Sequence, residues 1–86
     1  MDWGEIAQVI YKKLREHNYG YLIDRMFEVH GIGGTSGEMF TIVCIWLAKM
    51  RNGGEPAYEL IKVEAEELFE IAYSIKYFTK DELSRL

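Results

Sequence analysis

Residues 30 to 38, HGIGGTSGE, hold four of the chain's eight glycines. A glycine-rich run before a helix is a place where backbone N–H groups can cradle a phosphate. The spacing argues against that chemistry. A dinucleotide loop requires G-x-G-x-x-G after a strand. Gly31 and Gly33 meet its first two positions, but Ser36 stands at the third, and the residues before it have helical periodicity. A Walker loop ends in G-K, whereas Glu38 follows Gly37. Ser36 also fails as the nucleophile of a G-x-S-x-G elbow, because Gly34 precedes it but Glu38 occupies the second glycine's place. A hinge satisfies the same residues. Gly31 ends one helix, Gly33 and Gly34 let the chain reverse, and Thr35 with Glu38 forms a T-x-x-E cap. In that cap the threonine hydroxyl accepts from the Glu38 N–H while the carboxylate reaches back.

Glu64 is the carboxylate out of place. At 100° per residue it falls between Leu60, Leu68 and Ile71, inside an apolar arc. Burying it unpaired is costly, so a structural partner on a neighbouring helix is expected, with Arg25, His17 and His30 as candidates. A catalytic or metal-binding role needs companions, and none are spaced for it. No H-x-x-x-H, H-E-x-x-H or E-x-x-H pattern involves His17 or His30, and both sit near helix C-termini, where the dipole favours a cation. Cys44, the only cysteine, lies within TIVCIWL and is expected to be inert. No catalytic set, cofactor or metal is therefore expected.

These residues are carried by helical spacing throughout, with no segment alternating as a strand does. A first helix is predicted from about Asp2 to His17, capped by Asp2, with Trp3, Ile6, Ile10 and Leu14 on one face. A second covers about Tyr21 to His30, with Asn18 as its cap. A third runs from about Ser36 to Asn52 and stops at Gly53-Gly54. A fourth opens at Pro56 and reaches about Phe78, and Thr79 with Glu82 caps a short terminal helix. The expected fold is all-α: one domain over residues 1–86, a compact bundle of four helices plus a short C-terminal helix.

Two helix faces point to binding. The fourth helix carries Glu59, Glu66, Glu70, Tyr73 and Tyr77 on one outward stripe, where carboxylates and rigid rings could dock a basic protein partner. The third helix is apolar nearly all round, and three neighbours are expected to be too few to cover it. Phe40, Val43, Trp46 and Leu47 are therefore the expected self-association surface of a homodimer. The rival is a monomer in which residues 79–86 fold back, with Leu83 and Leu86 as a lid.

Composition narrows the function further. Ten basic residues against fourteen acidic give a net charge of −4, which disfavours binding to nucleic acid. The second and third helices imitate a helix-turn-helix, but the third is too apolar to lie in a groove. The acidic start MDWGEIAQ has no leader pattern, and the longest apolar run, residues 42–48, is far short of the roughly 20 residues that span a bilayer. KDEL at 80–83 is followed by Ser84, Arg85 and Leu86, so it is no retention signal. The expectation is a small acidic cytoplasmic protein-binding module (a regulator, inhibitor or accessory protein), non-enzymatic and homodimeric, with no nucleic acid and no membrane. The alternative is a small-ligand-binding or enzyme-accessory domain using loop 31–37 and Glu64.

Overall fold

The computed structural model describes residues 2–31 and 34–86. Within them lie five helices and no strand: α1 (Trp3–Glu16), α2 (Gly20–His30), α3 (Ser36–Asn52), α4 (Tyr58–Ser74) and the short α5 (Lys80–Ser84). The all-α bundle of four helices plus a terminal one is as the periodicity predicts. None of these helices is long and apolar enough to cross a membrane.

Side chains start three of the helices. Asp2 Oδ1 accepts from the N–H groups of Gly4 at 2.6 Å and Glu5 at 3.3 Å, satisfying donors that the first turn of α1 leaves free. Thr35 Oγ1 accepts from Glu38 N at 3.1 Å, and the Glu38 carboxylate takes the Gly34 N–H at 2.8 Å. The expected cap is present, but its return bond lands one residue earlier than the box pattern places it. At α5 the box is complete, with Glu82 N donating to Thr79 Oγ1 at 3.1 Å and Thr79 N to Glu82 Oε1 at 2.9 Å.

Asn18 is not the cap of α2, which starts from Tyr19 with no side-chain cap. It ends α1 instead. With φ 66° it occupies the left-handed region, and the Tyr19 N–H reaches back to Leu14 O at 2.7 Å while Asn18 N donates to Arg15 O at 3.3 Å. This pair of reversed bonds closes the last turn and satisfies its carbonyls. Gly54 (φ 69°) ends α3 the same way, and Lys76 (φ 62°) ends α4. Gly31 adopts φ 72°, ψ −174°, a region essentially confined to glycine. Gly33, assigned to the same reversal, lies outside the described residues.

The core gathers where α1 and α3 flank α4, while α2 packs on α1 and α5 on α3. Ile10, Leu14, Val43, Leu47, Ile61 and Leu68 are fully buried within it. The expected self-association residues are in the same interior: Phe40, Val43, Trp46 and Leu47 are all buried within one chain. Contacts at both ends of α3 account for that. An aromatic row covers the start of α3, with the Phe40 ring edge-on to Trp3 at 5.3 Å and to Tyr77 at 5.7 Å. The tail covers its end. Leu83 is fully buried against α3, and Asn52 Nδ2 donates to the carbonyls of Leu83 at 2.9 Å and Leu86 at 3.0 Å. Only half of the rival lid is used, since Leu86 remains 42% exposed.

Candidate functional site

The stripe expected on α4 is partly assembled. Glu66, Glu70 and Tyr73 line an open groove of about 450 Å³ together with Val63, Glu67 and Phe69. Helical geometry explains the grouping, because positions three, four and seven apart share a face. Val63 belongs to that face, four residues after Glu59 and seven before Glu70, and is 66% exposed. Glu59 is exposed one turn nearer the helix start but does not line the groove.

Tyr77 departs from the stripe. Because α4 ends at Ser74 and Lys76 turns the chain, Tyr77 swings over the start of α3 and lines a different hollow with Thr35, Gly37, Thr41 and Ile42. A Cβ on Gly37 would stand 3.1 Å from the Tyr77 hydroxyl, so that glycine permits the close approach.

Two cations missed from the sequence complete the groove. The Arg51 guanidinium lies 4.9 Å from the Phe69 ring centre, and Lys80 Nζ lies 5.9 Å from that of Tyr73. Each rests against a ring face, where the aromatic quadrupole attracts positive charge. Arg51 comes from the last turn of α3 and Lys80 from the start of α5, so their convergence depends on the tail folding back. The groove is thus acidic and aromatic with a cation at each flank. The buried Tyr58 hydroxyl has no hydrogen-bond partner among the described residues. Burial raises its pKa, Arg51 lowers it, and Glu66, Tyr73 and Glu59 raise it.

Glu64 is buried, 8% exposed, and pairs through Oε1 with Lys13 Nζ of α1. None of the three expected partners is involved. The signal for Lys13 was its position two turns after Ile6, which sets its stem along the apolar edge of α1 while the ammonium reaches outward. His17 is exposed, and its Nδ1 lies 2.9 Å from Lys13 O at the end of α1. Burial pushes the Cys44 thiol up to about 12, far from the thiolate range. Among the described residues, no group of three or more His, Cys, Asp or Glu side chains is arranged to hold a metal ion.

No family model, curated protein or solved structure matches the chain.

Proposed function

We propose that this is a non-enzymatic protein-binding module whose α4 face docks a cationic partner, in the manner of a small acidic cytoplasmic regulator or inhibitor. The observation that carries the reading is Val63. A branched apolar side chain left 66% exposed amid Glu59, Glu66, Glu67 and Glu70 is what a contact needs: an apolar centre that loses water on binding, with charges around it for orientation and rate. Tyr73 adds rigid area and already holds Lys80 of the same chain against its ring, while Phe69 is buried beneath Arg51. An incoming arginine or lysine meets the same chemistry. Glu64 and Glu38 are engaged inside the fold, by Lys13 and by the Gly34 N–H, so neither carboxylate is free to serve the ligand-loop alternative.

The test is binding of a fluorescent peptide of alternating arginine and tryptophan, with an aspartate-tryptophan peptide as control. The chain is expected to bind the first and not the second. Val63→Asp with Tyr73→Ala should weaken that binding by more than about 1 kcal/mol, on the order of fivefold or more. Equal binding by the variant, or no binding by the wild type, overturns the reading.

A further inference from the structure

A second groove, sharing no residue with the first, lies where α2 meets the later half of α3. Its floor is apolar, formed by Leu22, Met26 and Trp46, and Val29 stands on its edge 70% exposed. Arg25 and Lys49 form its rim together with the His30 ring, and no carboxylate lines it. Neither Arg25 nor Lys49 has an ion pair among the described residues. In a chain with a net charge of −4, this groove sets two cations and no carboxylate of the described residues around an apolar floor. Its sides are set by helical spacing: residues 22, 25, 26 and 29 share one face of α2, while Asp24 and Glu28 fall on the other.

The groove's volume of about 190 Å³ is below the roughly 300–1,000 Å³ of pockets that enclose a small molecule. It matches a single protruding apolar side chain with acidic neighbours. The chain itself displays such a side chain on α4, where Val63, in the lining of the first groove, is 66% exposed amid four glutamates, with Arg51 and Lys80 at the groove's flanks. We infer that the protein pairs with a second copy of itself by this complementarity. Val63 of one copy enters the groove between α2 and α3 of the other, and Arg25 and Lys49 there meet Glu59, Glu66 and Glu70. This rests on the reading of α4 as a docking face and names its partner. It replaces the apolar face of α3 as the means of association, because that face is already covered within each chain. The contact joins two different surfaces, so it closes when made twice about a two-fold axis and otherwise extends the assembly. A contact centred on one apolar side chain is weak, and its charge pairs are screened by salt.

Sedimentation equilibrium at protein concentrations up to about 1 mM, where even a contact of about 4 kcal/mol is half-populated, is the test. At low salt the wild type should exceed the 10.1 kDa of one chain, and its association should weaken on the order of tenfold in 0.5 M salt. Two double variants on exposed positions, Arg25→Glu with Lys49→Glu and Glu66→Lys with Glu70→Lys, should each remain at 10.1 kDa alone. Mixing the two should restore the larger mass, since each then faces a surface of opposite charge. Circular dichroism verifies that both keep their helices, and Val63→Asp gives an independent loss of association. A wild type that stays at 10.1 kDa overturns the inference, whether or not the groove takes an anionic vesicle or an acidic peptide instead. Association that survives both variants, or a mixture that stays monomeric, overturns it too. If the wild type is monomeric but still binds the arginine-tryptophan peptide, only the self-pairing falls; if it does neither, the α4 reading falls as well.

Discussion

Tyr58 shows how one atom can work against its surroundings. Its ring is buried at the start of α4, yet its hydroxyl has no hydrogen-bond partner among the described residues. A buried donor left unsatisfied costs about 1–3 kcal/mol, whereas the ring's own burial is favourable. Tyr58→Phe keeps the ring and removes the orphan, so we expect it to raise stability by about 1 kcal/mol in urea titration. A loss of similar size would place an ordered water on that oxygen. The Lys13–Glu64 pair was legible only in half. The helical wheel marks Glu64 as buried, because Leu60 and Leu68 flank it one turn either way. It names no partner, because pairing across α1 and α4 depends on which helices become neighbours, and several basic residues fit the rule equally well.

Helix ends carry the next lesson. Three helices finish with the same reversed pair of hydrogen bonds around a left-handed residue, which is Asn18, Gly54 or Lys76. Glycine and asparagine announce such a position in sequence, and α3 ends as Gly53-Gly54 predicts. Lysine does not, so the apolar stripe of α4 reads on through Ile75 to Phe78 although the helix stops at Ser74. Tyr77 was misplaced from the docking stripe for the same reason. A side chain in the left-handed region costs about 1–2 kcal/mol, and glycine loosens the unfolded chain by about 0.5–1 kcal/mol. Lys76→Gly should therefore stabilise the protein by up to about 1 kcal/mol, read as a rise in melting temperature of several degrees for a domain this size. A fall in melting temperature would mean that the lysine side chain contributes more than its backbone strain removes. The tail shows the opposite case: Thr79 and Glu82 reveal α5 at once, but only tertiary structure shows that Leu83 covers α3 and that Lys80 and Arg51 meet at the groove.

Taken as a whole, the molecule keeps three acids protonated in its interior. Burial pushes Cys44 up to about 12 from 9.0, and burial likewise raises Tyr58 and Tyr11 above 10.0, with Arg15 opposing at Tyr11. Each folded-state value exceeds its unfolded one, so the unfolded chain loses these protons first. Stability from this source is complete below about pH 9 and falls as pH rises toward 12, by about 1.4 kcal/mol per pH unit for each group titrating in the unfolded state alone. Urea midpoints at pH 7, 9 and 10.5 should show little change over the first interval and a clear drop over the second. An unchanged midpoint would mean that the thiol is not enclosed.

The packing of α1 on α4 has a kinetic consequence. Lys13 and Glu64 are 51 positions apart in the chain, so the most extensive helix–helix contact joins segments that meet only after a long loop closes. Closing a loop of that length costs about 3.5 kcal/mol of chain entropy before any side chain is buried. Helical proteins whose neighbours in sequence are also neighbours in space avoid that barrier and fold in microseconds to milliseconds. The encounter of α1 with α4 is therefore the step expected to limit folding. Shortening Ile10 or Ile61, both buried, should then slow refolding in stopped-flow fluorescence, whereas Lys76→Gly should change mainly the unfolding rate.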